Sequence, residues 1–376
     1  MSKKYAKNNL AVCIGDTTAK KKVLLGMSGG VDSSVAAILL KEQGYDVIGV
    51  TMKLWESECE GVEGGCCSIT STYDAKRVCD KLGISHYVVN LKKEFQEFVI
   101  DDFIKNYSEC KTPNPCIKCN THLKFDSMYK KAIELGADYI ATGHYAKTEY
   151  SEKYKKYVLK KSKSISKDQS YALYTMPKDL ASKVLFPLGD FENKEEIRKK
   201  AQTAELNVSS KPDSQEICFI PDNDYINFLE TNNVNLKGGD VVTTKGEIIG
   251  KHKGLHRYTI GQRKGIGISS KEKIYVVKLD TTTNTLVVGK EEELYSRVVL
   301  AENINLLLVD EINEPMKVAA KIRYSAKENI ATIYPLENGI MRIEFENPQR
   351  GVTPGQAIVF YTIEEGIVLG GGTIIS

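Results

Sequence analysis

A glycine-rich loop between an apolar strand and an amphipathic helix constrains this chain more than any other feature. Val23–Met27 is a short apolar run that leads directly into Ser28–Asp32, which contains two adjacent glycines. Ser33–Gln43 then carries apolar residues at helical spacing, and Gly44 marks its end. Glycines let backbone N–H groups approach phosphate oxygens, and the following helix N-terminus favours an anion there. The pattern therefore predicts an α/β domain with a phosphate-binding loop after its first strand.

The rest of the first half alternates strand-like and helix-like segments. The further predicted strands are Asp46–Leu54, His86–Leu91 and Asp138–His144. The predicted helices between them are Thr72–Leu82, Glu94–Tyr107 and His122–Leu135. Strands joined by long helical crossovers indicate a doubly wound α/β domain with a parallel sheet.

The pattern of predicted helices and strands changes near residue 222. A helix-like stretch, Asp224–Glu230, precedes the glycine-punctuated β segments Gly238–Gly250 and Ile274–Gly289, which indicates a small central domain. From about Ser296 turn signals recur, and Met341–Glu346 alternates apolar and polar residues, as is typical of a small antiparallel β-barrel. The predicted parts are an N-terminal extension (1–22), a nucleotide-binding catalytic domain (23–222), a central adaptor domain (223–293) and a C-terminal β-barrel (294–376).

Charge and composition narrow the class of protein. Lys and Arg total 52 against 49 Asp and Glu, so any basic surface for a nucleic acid has to be local. The polar, basic N-terminus is neither a signal peptide nor a membrane anchor, and no run of about 18 apolar residues occurs. We therefore expect a cytoplasmic protein without membrane contact, whose nine cysteines indicate reactive or metal-binding thiols more than a disulfide scaffold.

The loop itself predicts ATP chemistry. Ser28, Ser33 and Ser34 add hydroxyl donors, and Asp32 is placed to hold Mg²⁺ or orient the phosphates. The loop lacks the lysine of a Walker A motif, and its SGGxDS pattern resembles the PP-loop of ATP pyrophosphatases, which cleave between the α and β phosphates. A tight turn without a ligand is the alternative. By resemblance, the ATP-binding residues are Gly26, Met27, Ser28, Gly29, Gly30, Val31, Asp32, Ser33, Met52 and Gly143.

Two cysteines lie in segments that favour thiol chemistry. Cys119 lies in a proline-stiffened loop before a predicted helix, with Lys118 and Lys124 close in sequence. A helix N-terminus and neighbouring lysines favour the reactive thiolate form of a cysteine. Ser214–Ile220 carries the second thiol, Cys218. The sequence alone does not show how the two approach one another.

An ordered set of motifs resembles the tRNA-specific 2-thiouridylase family. The set comprises SGGVDSS, CCSITSTYDAKRVCDKLGI, NPxxxCNxxLKF, ATGHYA, KDQSYAL, QEICFI, IGQRKGIGI and TPGQA. The matches run from Ser28 to Ala357 in the family's order, so the resemblance covers nearly the whole chain.

This resemblance implies a reaction and its partners. ATP adenylates O2 of the wobble uridine in tRNA, and Cys218 carries a persulfide delivered by a cysteine desulfurase or a sulfur-relay protein. Cys119 is the nucleophile that either helps to release the sulfur by forming a disulfide with Cys218 or attacks directly. The target base has to leave the anticodon stack, at a cost of about a few kcal/mol.

Cys116 departs from the family pattern, in which many members carry Asp after the Asn-Pro pair. It forms a C-x-x-C sequence with Cys119. Thiolates at Cys116, Cys119 and Cys218 would hold three irons of a [4Fe–4S] cluster and leave the fourth open for hydrosulfide. The cluster hypothesis, the persulfide hypothesis and a Cys116 without a role all stay open here. Cys66 and Cys67, which are adjacent, are interpreted as structural or gating residues.

Two basic stretches favour an RNA partner. Tyr150–Lys167 interleaves lysines with tyrosines, and Lys251–Lys264 contains no acidic residue. A solvated hairpin is the alternative interpretation of the first stretch. By resemblance, the residues that contact tRNA are Asn114, Pro115, Cys116, His144, Lys167, Asp168, Gln169, Arg323, Tyr324 and Gln356, and Asn114–Cys116 line the pocket of the target base.

Two other functions are compatible with the same loop. A PP-loop ligase or amidotransferase acting on a small metabolite needs neither paired cysteines nor a basic C-terminal barrel. Pyrophosphate release that responds to a metabolite and ignores tRNA would favour it. A non-catalytic RNA-binding protein needs no intact Ser28–Ser33 loop, so the loop and both thiols argue against it.

Overall fold

The computed structural model describes residues 20–55, 69–211 and 217–376. The predicted N-terminal extension, apart from residues 20–22, and the pair Cys66-Cys67 lie outside these ranges. The fold class predicted from the sequence is confirmed. A parallel sheet, a small central sheet and a closed antiparallel barrel follow one another along the chain.

Parallel strands form the core of the N-terminal unit. The strands up to residue 185 are β1 (Lys22–Gly26), β2 (Asp46–Lys53), β3 (Ser85–Asn90), β4 (Tyr139–Ala141), β5 (Ala146–Ser151), β6 (Lys156–Lys161) and β7 (Val184–Leu185). Five of them form a sheet in the order β3-β2-β1-β4-β7, with every neighbouring pair parallel. Strands β5 and β6 form a separate hairpin. The sequence did not predict β7, whose two residues are too few to show a period.

Helices cover both faces of this sheet. They are α1 (Val31–Glu42), α2 (Ile69–Leu82), α3 (Lys92–Phe95), α4 (Asp101–Ser108), α5 (Pro115–Lys118), α6 (Met128–Glu134) and α7 (Lys194–Thr203), followed by α8 (Tyr225–Thr231). Alternate residues of β1 point to opposite faces. Val23 and Leu25 therefore pack in one core cluster with α1, and Leu24 packs in another with Met128 of α6.

Two π-helical segments lie within these helices, and the second, with α5, starts its helix before the predicted His122, so that Cys119 lies in the helix rather than in a loop before it. Gln96–Ile100 connects α3 to α4, and Cys119–Ser127 connects α5 to α6. Single π turns inside helices occur frequently at functional sites. The second of them begins at Cys119.

The central and C-terminal units are all β apart from α8. The strands are β8 (Gly239–Thr243), β9 (Ile248–His252), β10 (Tyr275–Asp280), β11 (Thr285–Gly289), β12 (Tyr295–Leu306), β13 (Met316–Lys321), β14 (Asn329–Pro335), β15 (Met341–Arg350), β16 (Ala357–Tyr361) and β17 (Val368–Ile374). The first four form a sheet in the order β10-β11-β8-β9, and the last six close into a barrel in the order β12-β15-β14-β13-β16-β17. Met341, Ile343 and Phe345 are buried in the barrel, as their alternation predicted.

The barrel packs directly against the N-terminal unit. One hydrophobic cluster contains Leu24 and Ile140 of the parallel sheet together with Ala357, Val359 and Tyr361 of β16. Among the described residues no helix is long and apolar enough to cross a membrane.

Candidate active site

The glycine-rich loop turns sharply between β1 and α1. Gly29 has a φ of +71°, and a Cβ at this position would lie 2.1 Å from the carbonyl oxygen of Ser71. Only glycine fits such a position. Ser33 Oγ accepts from the Ser28 backbone N–H at 3.2 Å and donates to the Gly30 carbonyl oxygen at 3.2 Å. These contacts hold the loop against the first turn of α1, where free N–H groups favour an anion.

Asp32 lies between a lysine and a tyrosine from distant elements. Lys194 Nζ, from the first residue of α7, donates to both carboxylate oxygens at 2.7 Å. The Tyr145 hydroxyl donates to Oδ1 at 2.8 Å. The lysine side chain is only 11% exposed, so little water competes with this pair. Asp32 and an ammonium group therefore stand together at the loop.

Lys211 brings a second positive charge to the loop. Its Nζ lies 3.3 Å from the Gly29 carbonyl oxygen and 3.0 Å from Asp74 Oδ2. Neither Lys194 nor Lys211 was predicted from the sequence, because neither lies in a motif near the loop. Their ammonium groups supply charge of the kind that a Walker A lysine supplies in other ATP-binding loops.

The neighbouring strands end at the same carboxyl edge of the sheet as the loop. Strand β1 lies between β2 and β4, so the direction of strand order reverses there, and α/β folds bind ligands at such a point. Gly143 follows β4, and a Cβ there would lie 2.8 Å from the Ser33 backbone nitrogen. Met52, near the end of β2, is half-buried and packs against two core clusters. Both residues that resemblance assigned to the nucleoside therefore lie at the carboxyl edge of the sheet.

The first thiol helix begins at a well-defined cap. Asn114 is the N-cap of α5, its side chain accepts from the Cys116 backbone N–H at 3.2 Å, and Pro115 occupies the first helical position. Cys116 is exposed, whereas Cys119 is half-buried. Asn114 and Pro115 thus fix the start of the helix that carries both cysteines.

The second thiol is anchored by aromatic packing. Phe219, next to Cys218, is 4% exposed, and its ring lies 5.7 Å from Phe95, 5.3 Å from Phe103 and 5.4 Å from Phe228. We call the hydrophobic cluster around these rings, which also contains Leu54, Leu91 and Leu123, the aromatic cluster. Cys119, Cys218 and Met52 all pack against it. Tertiary packing therefore brings the two distant thiol segments to one place.

The cysteines of the described segments are thiols. These are Cys79, Cys110, Cys116, Cys119 and Cys218. Within residues 20–55, 69–211 and 217–376, no three His, Cys, Asp or Glu side chains stand together as metal ligands.

His144 lies at the end of β4 as a neutral imidazole. Burial, followed by the nearby Lys124 ammonium, holds its pKa well below the usual value. Lys124 Nζ lies 3.2 Å from Nε2, and Thr142 Oγ1 lies 2.8 Å from Nδ1. These partners assign the proton to Nδ1 and leave Nε2 to accept from the lysine. His144 thus offers no positive charge to a phosphate at neutral pH.

Asp168, which resemblance assigned to a contact with tRNA, is buried in this structure. Its carboxylate accepts from the Ser162 backbone N–H at 3.0 Å and from Ser170 Oγ at 2.7 Å. Burial raises its pKa, and these hydrogen bonds and Lys321 oppose that shift. Gln169 Oε1 accepts from the Tyr145 backbone N–H at 2.9 Å. Gln169 therefore supports Tyr145, whose hydroxyl contacts Asp32.

The remaining residues assigned to tRNA lie on or near the barrel. Tyr324 is 45% exposed, and Lys321 Nζ lies 5.4 Å from its ring centroid. Arg323 donates from Nη1 to the Gly351 carbonyl oxygen at 3.4 Å. Lys167, beside the hairpin, donates its backbone N–H to Ser164 at 3.1 Å. Gln356 Nε2 donates to the Thr112 carbonyl oxygen at 2.8 Å.

Much of the basic hairpin is neutralised within the chain. Lys153 pairs with Glu365 at 3.0 Å, Lys155 with Glu152 at 2.9 Å, Lys160 with Glu149 at 3.1 Å, and Lys161 pairs with Glu328. Tyr150 and Tyr157 pack against each other at 5.5 Å. Lys153 and Lys161 therefore tie the hairpin to the barrel region, and the hairpin presents less net charge than its sequence suggested.

Comparisons with known proteins agree along the whole chain. Family models described as the tRNA methyl transferase HUP domain, the tRNA methyl transferase PRC-barrel domain and the aminomethyltransferase β-barrel domain match residues 21–222, 226–290 and 296–374. The tRNA-specific 2-thiouridylase MnmA of Acetivibrio thermocellus is 53% identical over 95% of this chain and 99% of its own. The MnmA of Clostridioides difficile is 51% identical over 94% and 98%. MnmA 1 of Thermoanaerobacter pseudethanolicus is 50% identical over 94% and 97%.

Proposed function

This chain belongs to the tRNA-specific 2-thiouridylase family, and from that premise we propose that it converts the wobble uridine of tRNA to 2-thiouridine at the expense of ATP. ATP is cleaved to AMP and pyrophosphate. The sulfur comes from a persulfide on Cys218, loaded by a cysteine desulfurase or a sulfur-relay protein. The reaction takes place in the cytoplasm.

The first step is adenylation at the glycine-rich loop. The uridine O2 attacks the α-phosphorus, the bond to the β-phosphate oxygen breaks, and the N3 proton passes to solvent. Lys194 and Lys211 stabilise the charge that develops on the leaving pyrophosphate. The Asp32 carboxylate is of the ligand type that Mg²⁺ prefers, and the ion would neutralise phosphate charge.

The second step transfers sulfur. The terminal sulfur of the Cys218 persulfide attacks C2 of the adenylated base, and AMP leaves with the former O2. The Cys119 thiolate then attacks Cys218 Sγ, which breaks the bond to the transferred sulfur and forms a Cys119–Cys218 disulfide. N3 takes up a proton, and a thiol reductant supplies two electrons to restore both thiols.

The packing of the thiols on the aromatic cluster carries this proposal. Cys119 and Cys218 contact the same cluster as Met52, which lies near the carboxyl end of β2. A ligase acting on a small metabolite would have no use for two thiols gathered on one cluster. The exposed Tyr324, together with Arg323, is proposed to meet the anticodon arm, and Asn114–Cys116 to line the pocket of the target base.

Mass analysis of the wobble nucleoside tests the proposal. tRNA is incubated with the protein, ATP and a persulfide donor, and 2-thiouridine is measured for the wild type, Cys218→Ser, Cys119→Ser and Cys110→Ser. The first two variants should lose product, whereas Cys110→Ser, outside the site, should retain it. Product formation by Cys218→Ser at the wild-type rate would overturn the sulfur route.

Iron and sulfide analysis after anaerobic purification tests the cluster alternative. A colourless, iron-free and fully active protein supports the persulfide route. Stoichiometric iron that disappears in Cys116→Ser together with activity would favour the cluster.

A further inference from the structure

A turn of the barrel forms hydrogen bonds with the segment that leads into the first thiol helix. The Thr112 backbone N–H donates to the Pro354 carbonyl oxygen at 2.9 Å. In the opposite direction, Gln356 Nε2 donates to the carbonyl oxygens of Thr112 and Pro113 at 2.8 and 3.3 Å. We call Pro354, Gly355 and Gln356 the barrel clamp.

The clamp approaches this segment at close range. Gly355 has a φ of +89°, and a Cβ there would lie 2.9 Å from the Thr112 backbone nitrogen. The clamp is itself tied to β17, because Gly355 N–H donates to Ile374 O at 2.9 Å and Ile374 N–H donates to Gln356 O at 2.8 Å. It is therefore an anchored part of the barrel rather than a loose loop.

The segment held by the barrel clamp has little backbone freedom before the helix that carries the thiols. Pro113 and Pro115 have restricted φ angles, and Asn114 between them caps α5. Fixing the carbonyl groups of Thr112 and Pro113 therefore sets where α5 begins. Cys119 follows directly at the end of that helix.

We propose that the barrel clamp positions the thiol helix, with Gln356 as the positioning residue that holds Cys119 in place for sulfur transfer. The role of Cys119 rests on the proposed function. Resemblance assigned Gln356 to a contact with tRNA, but its amide N–H groups are directed at two backbone carbonyl oxygens of this chain. The C-terminal barrel is thus a structural part of the catalytic site.

Alkylation of Cys119 in the absence of tRNA and ATP separates these two roles. Iodoacetamide labelling is followed by peptide mass spectrometry in the wild type, Gln356→Ala and Gln349→Ala. Gln349 is the matched control, because it also makes two hydrogen bonds but only within the barrel, to Asn329 and Asn347. Fully buried Cys79 reports global unfolding.

Gln356→Ala should raise the rate of Cys119 labelling, relative to that of Cys79, about three- to tenfold. This is the effect expected from losing about one net hydrogen bond. The Gln349→Ala rate should stay within about twofold of the wild type. An unchanged rate in Gln356→Ala, or an equal rise in both variants, would overturn the proposal.

Gln356→Glu provides a second test that a merely destabilised fold would not mimic. An ionised carboxylate cannot donate to the two carbonyl oxygens. The excess of Cys119 labelling over the wild type, measured at the same pH, should therefore shrink as the pH falls and the carboxyl group takes up a proton. A ratio that does not change with pH contradicts the proposal.

Steady-state kinetics link the clamp to catalysis. Gln356→Ala should lower kcat for 2-thiouridine formation and leave KM for tRNA unchanged, whereas a direct tRNA contact would raise KM. If the wild type formed no 2-thiouridine, the proposed function would fail. The labelling experiment would still decide whether the clamp holds Cys119.

Discussion

Single residues of the nucleotide loop are constrained by different physical effects. Gly29 needs both a left-handed backbone and space, since an added Cβ would overlap the Ser71 carbonyl group. Gly44, after α1, has a φ of +89° but nothing within 4 Å of such a Cβ. Comparing Gly29 with Gly44 therefore distinguishes the cost of a left-handed backbone from the cost of a steric clash.

Alanine at these two glycines should therefore have unequal effects. Gly44→Ala should lower the free energy of unfolding by about 1 kcal/mol and leave ATP affinity unchanged. Gly29→Ala should also push the loop away from Ser71 and raise the Kd for ATP at least about tenfold. Calorimetric titration with ATP and thermal unfolding measure the two quantities. Equal ATP affinities in the two variants would contradict the steric argument.

Lys194 is predicted to support adenylation through its contact with Asp32. Lys194→Ala removes the charged partner of the Asp32 carboxylate, a lysine side chain that is only 11% exposed. The variant should therefore slow tRNA-dependent pyrophosphate release about 10- to 100-fold. Lys200 on the same helix pairs with Glu42 of α1 at 2.8 Å, away from the loop. Lys200→Ala should therefore release pyrophosphate within about twofold of the wild type.

At the scale of elements, the segment of Cys218 depends on one aromatic anchor. Phe219 is buried among aromatic side chains of the α3–α4 helix and α8, whereas its neighbour Cys218 is half-buried. The sequence QEICFI marked the cysteine but not the reason for its position. Packing of the adjacent phenylalanine supplies that reason.

Shortening this anchor should reduce sulfur loading beyond its effect on stability. Phe219→Leu should cost about 1–2 kcal/mol of folding free energy and lower the fraction of Cys218 that accepts a persulfide. Phe345→Leu, in the barrel core and 1% exposed, should cost a similar amount and leave loading intact. Urea unfolding and mass spectrometry of the loaded peptide make the comparison. Equal loading in both variants would separate Phe219 from the thiol site.

At the scale of the whole molecule, the barrel lies next to the thiol helix. Tyr324 is close enough to Cys116 for their charges to interact, and burial first, then Asp168 and Cys116, raises the Tyr324 pKa. The same edge of the barrel carries Arg323. tRNA bound there would reach the thiol helix directly.

Charge reversal on this edge tests the tRNA surface. Arg323→Glu should raise KM for tRNA about tenfold, reduce the slope of log K against log salt by about 1, and spare ATP binding. Arg342→Glu makes the same charge change elsewhere on the barrel, where Arg342 pairs with Glu344 at 2.9 Å. Filter binding at several salt concentrations should show a shift only for Arg323→Glu, and equal shifts would indicate a nonspecific charge effect.

The sequence by itself determined the features that depend on local pattern. Hydrophobic periods predicted the parallel sheet and the barrel strands, because a strand or helix records its buried face in neighbouring residues. The glycine loop was recognisable from its own residues and both thiol segments from short motifs, which are local patterns as well. The two-residue β7 and the π turn at Cys119 were not predicted, since neither has a period of its own.

Only the tertiary structure decided which distant groups meet. Lys194, Lys211 and Tyr145 reach the loop from separate elements, and Gln356 reaches the thiol segment across a domain boundary. Packing also buried Asp168 and paired the lysines of the hairpin with acids. Such contacts join residues far apart in the chain, so no local pattern encodes them, and they arise when hydrophobic faces assemble.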